Sequence, residues 1–268
     1  MKAVYTLINL FFLAGAILLL IFTVLSGSSA HSPIDKFYWL EADTSGLRNA
    51  PAERSAWTFW GVCDTADYTN CLLGPAYPIS PVDNFDTTNN IPQEFIDKQD
   101  TFYYLSRFAF AFCLIALGLT GLAFIIDILG FCLSVIDKIV MVLSSAALFF
   151  MAAFASVQTA VVVMAKNAFS DDDRFAKVGA KSMGVMWAAF VCIVISWGLT
   201  FSANIVNSFN KFKQRREEAQ QAHSFHEKSI SDDSSLNDTK EVVDETNTGG
   251  IRFFNIKRNQ KNVDDELA

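Results

Sequence analysis

Histidine is scarce in this chain, and no familiar catalytic arrangement accompanies it. The 268 residues include three histidines, at His31, His223 and His226. The sequence has no Gly-rich phosphate-binding loop and no pair of carboxylates arranged for acid–base catalysis. His223 and His226 lie in a polar segment, where solvated side chains are more common than a metal site. The sequence therefore predicts a protein that is not an enzyme and that has no metal or cofactor.

Charged side chains are absent from four long apolar stretches. These stretches, which contain no Asp, Glu, Lys, Arg or His, are residues 5–25, 108–126, 139–165 and 183–206. Each is long enough to cross a hydrocarbon core, which takes about 20 apolar residues. The chain is also 51% hydrophobic and 18% charged, which excludes an ordinary soluble domain. The predicted fold is an all-α bundle of four transmembrane helices.

The first apolar stretch has a second interpretation. Lys2, the apolar run and the small residues up to Ala30 also resemble a cleaved secretory signal. The run is longer than the usual apolar region of such a signal, about 7–15 residues, and one lysine is a weak basic region. A retained span is therefore the favoured interpretation.

Polar segments connect the predicted spans and follow the last one. They are a large loop (26–104), a short loop (127–138), a medium loop (166–182) and a tail (207–268). The large loop has 11 acidic and four basic residues, so its net charge is −7. The tail has 10 basic and 12 acidic residues. Its middle is rich in Ser, Asp and Glu and poor in aromatic residues, so the whole tail, residues 207–268, is predicted to be disordered.

The basic residues near the span ends do not decide the orientation by number. The side that holds both termini has six of them and the other side has seven, whereas the positive-inside rule needs an imbalance. The densest basic cluster directly follows the fourth span and consists of Lys211, Lys213, Arg215 and Arg216. Such a cluster suits the anionic cytoplasmic leaflet. We therefore expect cytoplasmic termini, with loops 26–104 and 166–182 outside and loop 127–138 inside.

Two of the five cysteines, Cys63 and Cys71, lie close together in the large loop. In an oxidising compartment a pair at this spacing normally forms a disulfide. A structural zinc site needs four ligands, and His31 is the one histidine in this loop. A disulfide is favoured, with unpaired or metal-binding cysteines as the alternatives.

Aromatic runs around the cysteine pair predict a small β-structure. Residues 37–42 (FYWLEA) and 57–63 (WTFWGVC) are bounded by Gly, Asn, Pro and Ser, as short strands often are. Pro75, Pro78 and Pro81 recur at every third position, which favours an extended segment. We expect the aromatic residues to fill the core of a small cap, with direct ligand contact as the alternative.

Two further groups lie close to predicted span ends. Phe102, Tyr103 and Tyr104 precede the second span and are expected to form an interfacial aromatic belt. The acidic run 171–173 is followed by Arg174, Lys177 and Lys181, so we expect a solvated loop; weak cation binding is the alternative.

Trp60, Cys63 and Cys71 on a four-span chain resemble the W…C…C signature of the claudin-like superfamily. A closer resemblance is to the fungal SUR/PalI family, in its eisosome-associated Sur-seven branch. The residues that carry the family motif are Trp57, Trp60, Gly61, Pro75, Pro78 and Pro81. The resemblance extends over the segments FYWLEADT, PAYPISPVDNF, FYYLSRF, MAKNAFSDDDRFAKVGA and GIRFFNIKR. The proline-rich block is its most specific part.

The resemblance implies a non-enzymatic organiser of a plasma-membrane domain at eisosomes, with cytoplasmic termini. It also implies effects on endocytosis, cell-wall assembly, sphingolipid content and stress response or sporulation. Claudin-like adhesion or pore formation is the alternative function. A transporter is less favoured, because the spans hold uncharged polar residues such as Gln158, which we interpret as a contact between helices.

Lateral assembly and lipid contacts are expected to carry such a role. Small residues at Gly15, Ala16, Gly118 and Gly121 permit close helix packing, and we expect them at contacts within the bundle and not around a pore. Because the sequence has no catalytic groups, the function is expected to depend on helix packing and on the cap, so homo-oligomers or assemblies with related four-span proteins are predicted. The other expected partners are anionic inner-leaflet lipids, sphingolipids and cortical eisosome scaffold proteins, whereas nucleic acid is not expected.

The tail has a second basic and aromatic group near its end. This predicted partner motif consists of Arg252, Phe253, Phe254, Lys257 and Arg258. Candidate phosphorylation sites lie between it and the basic cluster, at Ser229, Ser231, Ser234 and Ser235. Phosphorylation adds about −1.5 to −2 charges per site, which is expected to weaken the contacts of both groups.

Overall fold

A computed structural model describes residues 2–28, 37–66, 70–129 and 136–234. The chain divides into two compact units, Met1–Phe212 and Lys213–Ala268. The elements in chain order are α1 (Lys2–Leu25), β1 (Leu40–Asp43), β2 (Arg54–Trp57), β3 (Gly61–Asp64), β4 (Cys71–Leu73), α2 (Pro81–Phe85), α3 (Gln93–Asp97), α4 (Gln99–Leu129), α5 (Ile136–Asp171), β5 (Ala176–Val178) and α6 (Ala180–Ser234).

Within the described residues, four helices are long and apolar enough to cross a membrane. These candidate spans are Val4–Leu25, Gln99–Leu129, Lys138–Asp171 and Ala180–Gln221. They contain the four stretches predicted from the sequence, so the predicted four-helix membrane bundle with a small disulfide-bonded cap is confirmed. Ala16 and Leu20 of the first span are fully buried in the core, as expected of a retained helix.

All four of these helices are longer than the predicted spans, and the extensions of α4 and α6 change how polar residues are assigned. α4 continues to Leu129, so Asp127 lies on a helix and not in the short loop. α6 continues to Ser234, and the prediction of disorder from residue 207 is therefore wrong for the described part of the tail. The physical reason is composition, because this segment is rich in Lys, Gln, Glu, Ala and Arg, which favour helix. Lys213 and Glu217 add an ion pair one turn apart, at 3.8 Å.

The bundle is built around α4, which packs against both α1 and α5. Ala16 of α1 and Ala109 and Ala116 of α4 are fully buried. The glycines predicted to allow close packing are not at close contacts within this chain, because a Cβ atom added at Gly15, Gly118 or Gly121 would meet nothing within 4 Å.

The five described strands form one antiparallel sheet. Four of them come from the segment between the first and second spans. The strand order is β4-β3-β2-β1-β5, and β5 comes from the loop between the third and fourth spans. In the register, Leu40 pairs with Trp57 on one side and with Val178 on the other. We call this sheet, together with α2, α3 and the described segments that connect them, the cap.

The segment 57–63 is not one strand, as the sequence predicted, but the end of β2, a turn and the start of β3. The turn closes because the Thr58 amide donates to the Gly61 carbonyl at 2.8 Å, and the Thr58 hydroxyl donates to the same oxygen. Alternation of side chains therefore stops at Trp57.

The proline-rich segment is also less regular than predicted. Pro81 does not continue an extended run, because it begins α2, at a position that tolerates proline in a helix. Pro92 is the residue before the first helical position of α3. Pro78 is buried and Pro75 is exposed.

Candidate functional site

The strands β3 and β4 are joined by the disulfide Cys63–Cys71. The two cysteines are direct partners in the sheet register, and their Cα atoms are 4.1 Å apart. The predicted disulfide is confirmed, and the unpaired and metal-binding alternatives for these cysteines are wrong. No group of three or more His, Cys, Asp or Glu side chains suited to a metal is present in the described ranges.

Trp57 connects the sheet to two helices. Its side chain is fully buried, and its Nε1 donates to Asn84 Oδ1 of α2 at 2.8 Å. Its ring lies 5.8 Å from that of Phe169, near the end of α5. A substitution here is therefore expected to loosen the cap and its attachment to the bundle together.

Trp60 makes the corresponding connection to α1. Its Nε1 donates to the Val24 carbonyl at 2.6 Å, one of the carbonyls that a helix end leaves without an intrahelical partner. The Trp60 ring packs edge-on against Phe110 of α4, at 5.8 Å between centroids. The two tryptophans of the family motif thus fasten the cap to three helices.

Gly61 is required because another strand passes close to it. A Cβ atom at this position would lie 2.4 Å from the Leu72 carbonyl oxygen of β4. Since backbone cannot move away as a flexible side chain can, a larger residue would push β4 from β3. The disulfide that joins the same two strands would then be strained.

An aromatic core fills the space between the cap and the bundle. Phe59 is central, with ring centroids 4.8 Å from Trp39, 5.2 Å from Phe110 and 6.2 Å from Phe154. A second group is centred on Phe95, which lies 4.6 Å from Phe102 and 4.9 Å from Phe169. The prediction that the loop aromatics form a core is confirmed.

The predicted aromatic belt is wrong for Phe102. This residue is fully buried against Phe95, whereas Tyr104 is 53% exposed. The reason is that α3 folds back beside the start of α4 and covers one face of it. Tyr103 lies next to Arg107, whose guanidinium is 4.4 Å from the Tyr103 ring centroid.

Arg174 joins three separate parts of the cap. Its Nη1 donates to the Ser45 carbonyl and its Nη2 to the Asn90 carbonyl, both at 3.0 Å. Its Nε contacts Asp172 at 3.1 Å. The acidic run was predicted to be a solvated loop, and residues 171–173 are exposed. The sequence did not single out Arg174, because its two carbonyl partners are remote in the chain.

Hydrogen bonds from Ser45 lower the pKa of the Asp43 carboxyl, which lies near Arg174. The hydroxyl and amide of Ser45 bond to Asp43 and lower the pKa of its carboxyl, with Arg174 and Arg54 adding to the effect. Burial raises the pKa of the Tyr77 hydroxyl. Both groups therefore stay in their usual charge state at neutral pH.

The proline-rich segment packs beside the turn between β2 and β3. The amide of Tyr77 donates to the Phe59 carbonyl, and that of Ile79 to the Ser106 hydroxyl of α4, each at 3.0 Å. A cavity of about 310 Å³ lies beside it and is lined by Ser28, Trp60, Leu73, Gly74 and Pro75. The most specific sequence block thus packs along the attachment of the cap.

At the end of the bundle remote from the cap, polar side chains from different helices are hydrogen-bonded to one another. Asn9 Nδ2 donates to Asp127 at 2.9 Å, and the Ser196 hydroxyl donates to Asn9 Oδ1 at 2.6 Å. Thr200 lies 3.4 Å from the same oxygen. The sequence predicts Asp127 in a loop and does not mark Asn9. Gln158, the predicted contact between helices, is buried with its Oε1 bonded to no described residue.

The structure describes only some of the residues that are predicted to make cytoplasmic contacts. The basic cluster Lys211, Lys213, Arg215 and Arg216 is exposed on α6. Ser229, Ser231 and Ser234 lie on the same helix. The described ranges do not include Ser235 or the motif Arg252, Phe253, Phe254, Lys257 and Arg258.

Comparison with known proteins gives consistent relatives over the whole chain. A profile of the SUR7/PalI family matches residues 5–199. The chain is 64% identical to "Protein SUR7" of Candida albicans, over 99% of each sequence. It is 39% identical to "Protein SUR7" of Saccharomyces cerevisiae, over 98% of this chain and 97% of that protein. It is 32% identical to "Uncharacterized plasma membrane protein YNL194C" of the same yeast, over 73% of this chain and 66% of that protein. The chain described here therefore belongs to the SUR7/PalI family.

Proposed function

We propose that this multi-pass membrane protein is a non-enzymatic organiser of a plasma-membrane domain, the eisosome compartment. The observation that carries the proposal is the attachment of the cap to α1, α4 and α5 through Trp57, Trp60 and the aromatic core. Because the cap is fixed to the spans, a contact between the cap and a neighbouring protein also positions the spans. Effects on endocytosis, cell-wall assembly, membrane lipid organisation and stress response or sporulation follow from the family resemblance.

The proposed orientation has both termini in the cytoplasm and the cap outside. The disulfide supports this orientation, because such bonds persist in oxidising compartments and are rare in the cytosol. The plasma-membrane location is supported by the name of one relative, the plasma membrane protein YNL194C of Saccharomyces cerevisiae.

Lateral assembly is proposed to occur through the helices. Several large apolar side chains on the outer faces of the bundle are exposed in the single chain, among them Phe11, Phe108 and Phe149. In a membrane these faces meet either lipid or another helix, so they are available for homo-oligomers or related four-span proteins. Crosslinking in mild detergent, followed by native electrophoresis, tests this part, and a strictly monomeric particle would contradict it.

The cytoplasmic contacts are proposed to be made by the basic cluster on α6 and by the terminal partner motif. Four basic residues at about 1 kcal/mol each favour an anionic leaflet, and cortical scaffold proteins are the proposed partners of the motif. Deletion of residues 249–268, and separately neutralisation of the four cations, should raise patch mobility in photobleaching. Unchanged recovery in both variants would remove this part of the proposal.

The central test is imaging of a C-terminal fluorescent fusion in fungal cells at native expression. Stable cortical patches that coincide with an eisosome marker are the expected result. The matched variant is Trp60→Phe, which keeps an aromatic ring but loses the bond to Val24, and we expect fewer patches at equal protein level. A junctional signal would favour claudin-like adhesion, and a diffuse signal would contradict the organiser.

A further inference from the structure

A stretch without charge interrupts the acidic loop that forms most of the cap. Residues 71–82 contain no Asp, Glu, Lys, Arg or His, although the loop 26–104 has 11 acidic and four basic residues. Within the stretch, Leu73 is 72% exposed and Pro75 is also exposed. Exposed apolar surface of this kind marks contacts with membranes or with other proteins. We call residues 73–79 the LGPAYPI segment.

This segment lies at the level where the spans end. Val24 is in the last turn of the first candidate span, and Trp60 donates to its carbonyl at 2.6 Å. The amide of Gly74 donates in turn to the Trp60 carbonyl at 3.0 Å. At the far end of the segment, the Ile79 amide donates to the Ser106 hydroxyl of α4 at 3.0 Å. The LGPAYPI segment therefore runs from the end of α1 to α4 at the height of the membrane surface.

The backbone of the segment has few free donors. Pro75 and Pro78 have no amide hydrogen. The amides of Gly74 and Ile79 are bonded as described, and the Tyr77 amide donates to a carbonyl of the turn between β2 and β3 at 3.0 Å. Backbone groups without partners become costly as water is lost towards the hydrocarbon core. A segment with these donors removed or bonded is therefore suited to the surface of a bilayer.

An open cavity of about 310 Å³ lies beside the segment. Its described lining consists of Ser28, Trp60, Leu73, Gly74 and Pro75, and none of these side chains is charged. The volume is about ten times the roughly 30 Å³ that one water occupies in the liquid. A charged headgroup would find no ion-pair partner in this lining, whereas a hydrocarbon chain could pack against the indole ring and the leucine.

We propose that the LGPAYPI segment lies in the membrane leaflet on the side of the cap, and that the cavity holds an acyl chain of a leaflet phospholipid. The occupant is lipid because this surface continues the membrane-facing surface of α1. Leu25, the neighbour of the residue that binds Trp60, is 38% exposed at the end of the span. Trp60 and Tyr77 are residue types that are enriched at this level of a membrane. The site goes beyond the proposed function and does not depend on it.

Photolabelling of the full chain in phosphatidylcholine vesicles tests the proposal. A small part of the lipid has a diazirine on its acyl chain, close to the ester, and peptide mass spectrometry locates the labelled residues after illumination. Trp60 and residues 73–77 should be labelled as strongly as Leu25. Thr88, an exposed residue elsewhere in the cap, should not be labelled. A phosphatidylglycerol probe with the same chains should give the same pattern, because the described lining is uncharged.

Matched variants decide whether the segment itself contacts lipid. Leu73→Asp should lower the labelling of residues 73–77 about tenfold, since burial of a leucine side chain shifts an equilibrium by at least that factor. Leu73→Phe should keep the labelling. Thr88→Asp, which adds the same charge elsewhere in the cap, should also keep it. If Leu73→Asp does not give a monodisperse protein, Pro75→Asp replaces it, because Pro75 is exposed as well.

Three results would overturn the proposal. The first is label on Leu25 without label on Trp60 and residues 73–77, which is expected if another protein covers the segment. The second is a different pattern with the phosphatidylglycerol probe, which would assign recognition to the headgroup and not to the chain. The third is unchanged labelling in the folded Leu73→Asp or Pro75→Asp variant.

Discussion

The cap and the helix bundle are stabilised in different ways. The cap is held by directional contacts between remote segments: a sheet ladder, a disulfide, two tryptophan hydrogen bonds and the fork of Arg174. In the described part of the bundle, side-chain hydrogen bonds between spans include the Asn9 cluster and a bond from Trp197 to Ser145. Most of the buried side chains of the described helices are apolar.

The difference follows from the two solvents. Outside the membrane, the hydrophobic effect favours burial of aromatic rings, because these rings would be exposed to water if the cap unfolded. Between spans that driving force is missing, because lipid tails are as apolar as the side chains. Substitutions in the cap should therefore cost more than comparable substitutions in the bundle. The following experiments can break or sharpen this comparison.

The largest effect is expected for Trp57→Ala. Truncation of a buried tryptophan typically lowers the free energy of unfolding by about 3–5 kcal/mol, and here it also leaves Asn84 without its donor. The matched variant is Trp187→Ala on α6, whose side chain is 42% exposed. Thermal unfolding of the full chain in mild detergent measures both. A similar loss of stability in the two variants would break the comparison.

The second effect is expected from Cys63→Ser combined with Cys71→Ser. Closure of a short loop by a disulfide stabilises by roughly 2–3 kcal/mol in the chain-entropy description, and the sequence separation here is eight. Delivery to the cell surface should fall in parallel. Cys192→Ser, in a partly buried position on α6, should have little effect. Peptide mass spectrometry without reduction checks the pairing, and two free thiols in the unmodified protein would contradict it.

Arg174→Gln should have a smaller effect, confined to the cap. Hydrogen bonds from a charged donor contribute about 1.5–3 kcal/mol each when buried, and partial exposure reduces this to about 1–2 kcal/mol in total. Arg174→Lys should not restore stability, since an ammonium cannot span both carbonyls. Hydrogen exchange near Ser45 and Asn90 should rise in both variants. Lys177→Gln, an exposed cation on β5, is the control.

Asn9→Leu tests the polar contact in the bundle. Hydrogen bonds between transmembrane helices average about 0.6 kcal/mol, so the expected loss is near 1 kcal/mol, because Asp127 and Ser196 both lose a partner. Thr120→Val, which removes a bond within one helix, is the control. A loss as large as that of Trp57→Ala would show that the bundle is held as directionally as the cap.

The smallest effect is expected for the pH dependence of Asp43. The pKa of its carboxyl is lowered in the folded protein, first by the bonds from Ser45. Its contribution to stability is therefore present above the unfolded pKa, about 3.9, and is lost as the pH falls through the folded pKa. The difference in melting temperature between the unmodified protein and Asp43→Asn should shrink from about pH 6 to about pH 3. A constant difference would contradict this.

Sequence patterns identified the parts of the fold that depend on local composition. The spans could be predicted because a run of about 20 apolar residues is enough to cross a bilayer. The disulfide could be predicted from the spacing of the two cysteines and from the oxidising compartment expected for their loop. The turn at residues 58–61 was missed, since a hydrophobic run does not distinguish a strand from a tight turn that buries Thr58. The helical start of the tail was missed because its charge and polarity resemble those of a disordered segment.

The candidate site divides in the same way. Trp57, Trp60, Gly61 and the cysteines were identified by the family motif. Arg174 and the cluster of Asn9 and Asp127 were not, since no local pattern marks them.

The sequence by itself determined that the chain has four apolar spans and a loop closed by a disulfide, because these depend on residue type and on spacing along the chain. Only the tertiary structure decided that β5 completes the sheet, that Arg174 reaches Ser45 across 129 positions and that Ser196 meets Asn9 across 187. Contacts over such separations arise from the packing of whole helices and strands. Their energies depend on which surfaces meet, and a single sequence does not record that.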